Sequence, residues 1–310
     1  MQSPHLIVLA HVVLALLVPL KIESQSASKM LSQQGTFIMF REPSYVSATG
    51  GFGNIDKLIF EADIIPYFLV KLSGSDRWGI ELSPEIILRM YNEKSVPVRS
   101  PSFMPRITGF YQIRQPEVYK SDLFGYLSVW HHSNGQENDF YNDDKVTINT
   151  RTGNFSTNAA EVGLFMSEPD KLNPNATRYI KLSTVYHFMH VTDLNNIYGD
   201  LRFFVDLQSI VNVTKTLRML NLVSNNSRTS SAMLYGSIKF GYIADNFNHT
   251  KAISLNRLIF KGTISYKPFF LHDINLFAQY YYGQDYYNIS FSRQLHLFRF
   301  GLMARPNFIN

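Results

Sequence analysis

The stretch Val129-Trp130-His131-His132-Ser133-Asn134-Gly135-Gln136 predicts the end of a β-strand followed by a turn. Side chains two residues apart in a strand share a face, so His131 and Ser133 point the same way. The same face carries the apolar residues Leu127 and Val129, whereas the residues between them point to the opposite side. The stretch therefore predicts a strand whose apolar face ends in a base beside a hydroxyl nucleophile.

Similar runs recur along the chain, between clusters of Gly, Asn, Asp, Ser and Pro that are typical of turns. In the run Glu161-Val162-Gly163-Leu164-Phe165-Met166, for example, one face carries Val162, Leu164 and Met166. We expect strands near residues 36–41, 58–72, 78–91, 106–114, 122–133, 156–166, 177–191, 200–212, 232–244, 256–267, 273–284 and 290–304.

An even number of antiparallel strands joined by hairpins is typical of transmembrane β-barrels, which also place aromatic residues at both membrane interfaces. The 24 Phe and 18 Tyr residues agree with this architecture. The predicted fold is therefore all-β, an antiparallel transmembrane β-barrel of about 12 strands. A soluble β-sandwich or a periplasmic barrel would show similar strands. The chain also ends in Arg305-Pro306-Asn307-Phe308-Ile309-Asn310, without the terminal aromatic residue of many outer-membrane barrels.

The composition sets limits on the class of protein. The chain has 310 residues, 45% of them hydrophobic, which is enough for one sizeable domain. Its long apolar run, Leu6 to Leu20, is short for a bilayer span and lies where a secretory signal would be. We expect residues 1–28 to be a signal peptide and residues 29–310 to be the barrel domain. The absence of cysteine excludes disulfides and thiolate metal sites, and the scattered net charge of +5 argues against nucleic acid as a partner.

A serine hydroxyl becomes a good nucleophile only when a base takes its proton, and the base needs a third group to orient it. After a polar loop, the segment Ser156-Thr157-Asn158 begins the next predicted strand. Asn158 shares its face with Ala160 and Val162, an apolar face that could continue the one bearing His131 and Ser133. Asn158 is therefore the predicted orienting residue.

These residues resemble the motifs of a known family. The order His131-His132-Ser133-Asn134-Gly135, then Ser156-x-Asn158, resembles the His-x-Ser-Asn-Gly and Ser-x-Asn elements of outer membrane phospholipase A. Further segments resemble family elements in the same order, namely a long strand from Lys57 to Pro66, a Ser-Pro-Phe loop in Val98-Arg99-Ser100-Pro101-Ser102-Phe103, and a Gln-Tyr-x-x-Gly strand ending at Gly283. Together they cover most of the mature chain.

The resemblance implies a twelve-stranded barrel in the bacterial outer membrane that hydrolyses acyl esters of glycerophospholipids, as a phospholipase A1 and A2. It implies that Ser133 is the nucleophile, His131 the general base and Asn158 the group that holds the imidazole, all on the lipid-facing side. It also implies calcium (Ca²⁺) as cofactor, membrane phospholipids as partners, and a homodimer. A neutral Asn suits such a site, because a carboxylate facing lipid would have to be desolvated.

The calcium ligands of the family are loop oxygens. The resemblance assigns them to the backbone carbonyl of Gln136, to Asn154 (with Ser156 as the other alignment), and to Ser100, which would be offered across the dimer. Two departures affect this assignment: the loop between Ser133 and Asn158 is longer than the family's hairpin, and Gln136 replaces an Arg. The loop adds three carboxylates that could bind calcium or simply be solvated, Asp139, Asp143 and Asp144.

Two other functions remain open at this point. A lipid A deacylase barrel also uses His-x-Ser, but with a glutamate as third member, so Glu161 would have to share a face with His131. The alternation places Glu161 on the face opposite Asn158. A non-catalytic porin or envelope barrel would carry the same motif without activity.

The spacing of His187 and His190 favours a metal site only on a helix, and we expect a structural role for them in a strand.

Overall fold

The computed structural model describes residues 39–305, apart from 55, 71–76, 96, 99, 115–120, 170–175, 215–216, 218–231 and 272. The predicted signal peptide, residues 1–28, lies outside the described residues, as do residues 306–310. Within the described ranges, no helix is long and apolar enough to cross a bilayer.

The regular secondary structure of the described chain is almost entirely β-strand. Its strand segments are β1 (Ser44–Ala48), β2 (Leu58–Ile64), β3 (Phe68–Val70), β4 (Trp78–Leu82), β5 (Glu85–Tyr91), β6 (Ser102–Met104), β7 (Arg106–Arg114), β8 (Asp122–Ser133), β9 (Ser156–Pro169), β10 (Ala176–Phe188), β11 (Leu201–Asn212), β12 (Met233–Ile243), β13 (Leu258–Lys267), β14 (Ile274–Gln284) and β15 (Gln294–Ala304). Short 3-10 turns lie in loops, at Thr192–Leu194, Leu255–Arg257 and Asn288–Ser290.

Three pairs of these segments are single barrel strands, each interrupted at a proline. Pro66 separates β2 from β3, Pro84 separates β4 from β5, and Pro105 separates β6 from β7. Proline has no N–H to donate, so the hydrogen-bond ladder is interrupted where it occurs. Since the pairing register continues unchanged through each break, the segments make twelve barrel strands.

The three prolines lie opposite one another on neighbouring strands, in a line that we call the proline row. Pro66 and Pro105 are exposed on the outer surface and Pro84 is half-buried. The row continues to His131, whose backbone N–H donates to the Pro105 carbonyl at 3.2 Å. The line of missing amide donors therefore ends at the predicted general base.

The sheet closes on itself. Every neighbouring pair of strands is antiparallel, and β1 pairs with β15 from Ser44–Ala304 onward, which joins the first strand to the last. The predicted all-β antiparallel barrel of twelve strands is therefore confirmed. A closed sheet has no free edge and satisfies its backbone groups internally, which explains how the chain dispenses with disulfides.

The outer and inner faces of the barrel differ in polarity. On β8, Leu127 and Val129 are 49% and 40% exposed, whereas Ser128 is 1% exposed. The same outward exposure holds for large apolar side chains on many strands, including Ile107, Leu164, Leu182, Phe203, Val205, Phe240, Ile264, Leu276, Phe300 and Leu302. An apolar outside around a polar inside is the pattern of a barrel that is surrounded by lipid.

The first predicted strand, residues 36–41, is wrong for the part that the structure describes. Met39 and Phe40 form a helical turn inside the barrel, and the first strand begins at Ser44. Met39 is 1% exposed and packs among aromatic side chains of the wall, including Phe110 and Phe124. A short apolar run shows that a segment is buried but not which element it forms, and this run is buried in the lumen.

Charged side chains fill much of the lumen as paired groups. The fully buried Arg89 donates to Glu61 at 2.7 Å and to Asp285 at 2.9 Å, and Glu61 also pairs with Arg299. Further lumenal pairs are Arg41–Glu81, Lys181–Glu161, Lys239–Glu42 and Lys261–Glu42. Because an unpaired buried charge costs several kcal/mol, this pairing is what permits a charged interior. A cavity of about 310 Å³ remains among these side chains.

The loops at the end where β8 stops and β9 starts, which we call the loop end, pack together. Phe155 is fully buried, with its ring 5.7 Å from that of Tyr198 and 6.1 Å from that of Phe291. These residues come from three loops, 134–155, 189–200 and 285–293. The long insertion between the two predicted catalytic strands is therefore anchored on its neighbours.

Candidate active site

The pairing of β8 with β9 places the candidate residues opposite one another. His131 pairs with Asn158, and Ser133 pairs with Ser156. All four side chains are half-buried, on the outward face that carries the apolar belt, and they lie at the loop end. The structure therefore places the predicted base and orienting residue on the same face of two paired strands.

The imidazole and the carboxamide are in hydrogen-bond contact, with His131 Nδ1 at 3.0 Å from Asn158 Oδ1. The backbone explains this closeness. Asn134 N–H donates to the Phe155 carbonyl at 3.2 Å, and hydrogen-bonded and non-hydrogen-bonded pairs alternate along an antiparallel ladder. His131 and Asn158 therefore form a non-hydrogen-bonded pair, the kind in which side chains approach most closely.

The other end of the Asn158 carboxamide also has a partner. Its Nδ2 donates to the main-chain carbonyl of Met189 at 3.2 Å. Met189 follows the last residue of β10, has a φ of 48° and has a side chain that is 81% exposed. The carboxamide is thus held between an imidazole on β8 and a carbonyl at the end of β10.

Ser133 lies two residues beyond His131 on the same face, a spacing of roughly 7 Å along a strand. Among the described residues, no hydrogen bond joins its hydroxyl to the His131 ring. Catalytic hydrogen bonds are often long in the absence of substrate and tighten when it binds. The structure therefore brings His131 and Asn158 together and leaves Ser133 adjacent to them.

Asn134 ties together the two ends of the inserted loop. It is 1% exposed, and its Nδ2 donates to the Gly153 carbonyl at 2.8 Å. Its Oδ1 accepts from the Phe155 N–H at 3.0 Å and from the Gln136 N–H at 3.3 Å. The residue after the candidate nucleophile therefore fixes the base of the loop that follows it.

Two of the predicted calcium ligands lie at this loop base. Gln136 is linked to Asn134 Oδ1, and Asn154 follows Gly153, which is linked to Asn134 Nδ2. The Asn154 N–H donates to the Asn138 carbonyl at 2.9 Å. The set offers neutral oxygens, a type of ligand that calcium accepts. In the described chain, no cluster of three or more His, Asp or Glu side chains is placed to hold a metal.

Ser100 lies elsewhere, under the inserted loop. It is 2% exposed, and its hydroxyl donates to the Arg151 carbonyl at 3.1 Å. Its own carbonyl accepts from Asn288 Nδ2 at 2.6 Å. In this conformation Ser100 links two loops within one chain.

Two of the three carboxylates of the loop are engaged within it. Lys145 donates to Asp139 at 2.8 Å, and this hydrogen bond together with the lysine charge lowers the pKa of Asp139. The Thr147 hydroxyl donates to Asp144 at 2.6 Å, and this bond, with two backbone amides, lowers the pKa of Asp144. Asp143 is exposed on the same loop. Both engaged groups act as structural anions of the loop.

Residues that alternate with the candidate site face the lumen. Glu161 is buried, accepts from the Tyr126 hydroxyl at 2.7 Å and lies 3.4 Å from the Lys181 ammonium. His132 is 5% exposed, with its ring 4.9 Å from that of Phe155. His187 is also buried, on a strand. These three residues therefore belong to the interior of the barrel.

Comparison with known proteins gives a result at the level of fold. No protein-family model and no curated protein sequence matches the chain. The solved structure of outer membrane phospholipase A from Escherichia coli matches with a TM-score of 0.55, covering 92% of this chain and 100% of that one at 12% identity. The fold is that of outer membrane phospholipase A.

Two further structures agree. The Salmonella typhi outer membrane phospholipase dimer with bound calcium has a TM-score of 0.56 at 13% identity, covering 93% of this chain and 100% of that one. An active-site mutant of the E. coli outer membrane phospholipase A has a TM-score of 0.53 at 13% identity, covering 89% and 99%. The resemblance inferred from the motifs is therefore confirmed for the architecture of the barrel.

Two features of the site were not predicted from the sequence. The Met189 carbonyl is a main-chain group, so no residue type signals its contact with Asn158. The hydrogen bonds by which Asn134 ties the loop ends together had a partial signal in the sequence, since Asn-Gly after a strand predicts a turn. That signal gives the turn but not the bonds to a segment some twenty residues later.

Proposed function

We propose that this protein is a phospholipase A of the bacterial outer membrane, which hydrolyses the acyl esters of glycerophospholipids. The observation that supports this most directly is the contact of His131 with Asn158, on the outward face and beside Ser133. That face continues into an apolar belt. An ester of a membrane lipid could therefore reach the hydroxyl without its acyl chain leaving the bilayer.

The loops support an orientation for the site. The connections at the loop end include those of residues 134–155, 189–200 and 244–257, whereas the connections at the opposite end are shorter, except for residues 213–232. The last described strand ends at that opposite side of the barrel. Outer-membrane barrels carry their longer loops outside the cell. The candidate site would then lie at the level of the outer leaflet.

In the proposed reaction, His131 Nε2 takes the proton of the Ser133 hydroxyl while the oxygen attacks the ester carbonyl. The imidazolium then gives this proton to the departing lysophospholipid oxygen, leaving an acyl-serine. Water, deprotonated by the same imidazole, releases the fatty acid and restores the serine. Asn158 accepts a hydrogen bond from Nδ1–H throughout, which holds the ring in place.

Calcium and a second copy of the chain belong to this proposal. The Gln136 carbonyl and Asn154 are the residues that fit a calcium ion beside Ser133, and calcium, when bound, would supply positive charge near the developing oxyanion. These donors include no carboxylate, so tight binding would need further oxygens, such as those of a partner in a homodimer. Ser100 would have to release the Arg151 carbonyl to serve in that role.

The two alternative functions have less support. A lipid A deacylase triad requires Glu161 on the face of His131, but Glu161 points into the lumen and is bonded to Tyr126 and Lys181. A porin requires an open lumen, whereas ion pairs and the segment from Met39 to Glu42 occupy much of it.

The test is the release of fatty acid from phospholipid vesicles by the refolded protein and by Ser133→Ala. We expect the variant to lose at least a thousandfold in kcat, in line with the removal of a nucleophile. Ser209→Ala is the matched control, because Ser209 also points outward but lies on β11. This variant should keep its activity. The same assay with lipid A as substrate, and with a chelator, separates the alternatives. Equal release by wild type and Ser133→Ala would refute the proposal.

A further inference from the structure

We propose that the main-chain carbonyl of Met189 is a positioning group that determines which end of the Asn158 carboxamide faces His131, and thereby which imidazole nitrogen serves as the base. This inference deepens the proposed function and rests on it for its catalytic meaning. Its structural content, the choice of imidazole tautomer, can be measured separately.

The argument begins with the donors and acceptors. A carbonyl oxygen only accepts, so the amide end of Asn158 that lies 3.2 Å from Met189 O must be the NH₂ group. The oxygen end must then face His131, at 3.0 Å from Nδ1. An amide oxygen also only accepts, so Nδ1 must carry the ring proton. His131 Nε2 is left with a free lone pair, as a general base requires.

The reverse arrangement would disable the site. A carboxamide turned by 180° would present its NH₂ group to Nδ1, which would then have to accept and could not carry the proton. The proton would move to Nε2, and the ring could no longer take one from Ser133. The two ends of an amide are nearly the same in shape, so a fixed hydrogen-bond partner has to distinguish them. Met189 O is in position to do so.

The backbone at Met189 gives an independent indication. Its φ of 48° lies in the left-handed region, which residues with a Cβ avoid. Its side chain is 81% exposed, so side-chain packing does not hold it there. The flanking backbone does: Val191 N–H donates to the Ser156 carbonyl at 3.0 Å, and His187 N–H to the Asp200 carbonyl at 2.9 Å. Strain maintained at an exposed residue points to a role for its main chain.

The surroundings of the hydrogen bond between Asn158 and the Met189 carbonyl make it important. The site lies on the outward face, where acyl chains in place of water would surround the Asn158 amide. A donor that loses its partner there finds no replacement, and a hydrogen bond is stronger in such a medium than in water. The identity of the Met189 side chain matters less than its backbone conformation. Substitutions should therefore act according to how well they tolerate a positive φ.

The experiment compares Met189→Gly with Met189→Val. Both remove the methionine side chain, but glycine adopts a positive φ readily and the β-branched valine does not. In vesicles of long-chain phospholipid, we expect kcat of the Val variant to be at least tenfold below that of the Gly variant, with KM within twofold. Asn196→Val, at φ 63° in the same loop, is the control for strain alone and should change kcat by less than twofold.

An Asn158→Ala background separates positioning from general loop damage. There, the Gly and Val variants should have equal residual activity, because no carboxamide remains to be oriented. A tenfold loss in that background would show a merely structural effect and overturn the inference, as would equal activity of the two variants in the wild-type background. If the Val variant does not refold, Met189→Leu against Met189→Gly repeats the comparison, since leucine also resists a positive φ.

A readout without catalysis is the ¹⁵N NMR signature of the His131 ring, assigned by its loss in His131→Gln. We expect the Nδ1–H tautomer in the wild type and the Gly variant, and a shift toward Nε2–H in the Val variant. If Ser133→Ala shows that the protein is not an esterase, the tautomer can still depend on residue 189, and only the proposed function fails. If fatty acid is released but neither kcat nor tautomer depends on residue 189, only the positioning role fails.

Discussion

Phe103 on β6 is the direct cross-strand neighbour of Ser133 on β8, and its side chain is 39% exposed on the same outward face. A Cβ at Gly135, two residues after Ser133, would lie 3.7 Å from the edge of the Phe103 ring. The serine is therefore flanked on one side by an aromatic ring and on the other by β9. An acyl chain whose ester reaches Ser133 would contact this ring.

We predict that Phe103→Ala lowers kcat/KM for long-chain phospholipids about tenfold, because burying about 60 Å² of apolar surface contributes roughly 1.5 kcal/mol. The loss should be much smaller with a short-chain ester that does not extend over the ring. Phe240→Ala, 52% exposed on β12 and remote from the site, is the control. Equal losses at both chain lengths would contradict this role of Phe103.

Asn158→Ala should reduce kcat by about two orders of magnitude, since an unoriented imidazole is a poor base even when the nucleophile is intact. The measurement is fatty acid release at saturating lipid. In a Ser133→Ala background the same change should have almost no further effect, because residues that act as one unit are not additive. An Asn158→Ala enzyme with half of the wild-type rate would contradict the assigned role.

Asn134→Ala should loosen the inserted loop while the barrel remains folded. The change leaves the Gly153 carbonyl and the Phe155 N–H without their side-chain partner, at about 1–3 kcal/mol for each buried group. Limited trypsin digestion should then cleave after Lys145 or Arg151 at least tenfold faster. Asn142→Ala, which removes an exposed bond to Thr147, should leave the rate of cleavage near that of the wild type.

Chelation should suppress activity, and Asn154→Ala should raise the calcium concentration for half-maximal activity about tenfold. The reason is that the proposed calcium site, which has no carboxylate, would lose one of its oxygen ligands. Asp143→Asn tests the alternative in which the acidic loop binds the ion. A large shift for Asp143→Asn with none for Asn154→Ala would transfer the site to that loop.

Arg89→Met should lower the free energy of unfolding by about 3–5 kcal/mol, because it leaves Glu61 and Asp285 as buried charges with one partner fewer. The measurement is urea unfolding in lipid vesicles. Arg106→Met, which breaks a partly exposed pair with Glu85 at 3.3 Å, should cost about 1 kcal/mol. Similar losses for both variants would mean that the lumenal charges are more hydrated than the structure indicates.

The alternation of polar and apolar residues predicted the faces of the barrel well, since a strand repeats every two residues and one side meets an apolar medium. It placed Leu127, Val129, His131 and Ser133 together and put Glu161 opposite them, as the structure does. It failed for residues 36–41, whose apolar character results from burial in the lumen. Alternation does not give the register between two strands, so the contact of His131 with Asn158 was an expectation from their shared face and from the resemblance, and the structure supplied the pairing.

The contact of Asn158 with the Met189 carbonyl could not be predicted from the sequence. It depends on a backbone dihedral and on a carbonyl contributed by the residue that follows β10, neither of which has a residue-type signature. The proline breaks were visible as prolines, but not as a line, because their alignment requires the registers of two neighbouring pairs of barrel strands.

That alignment has a mechanical consequence. Three neighbouring barrel strands lack an amide donor at the same height, so fewer hydrogen bonds join the strands there than elsewhere around the barrel at that height. This weakened line ends at His131. In deuterated water, with the protein in detergent micelles, the amide protons flanking Pro66, Pro84 and Pro105 should exchange faster than those at the same height on the opposite wall of the barrel. We therefore expect the wall beside His131 to deform more readily than the rest of the barrel, which would help it to accommodate the two acyl chains of the proposed phospholipid substrate.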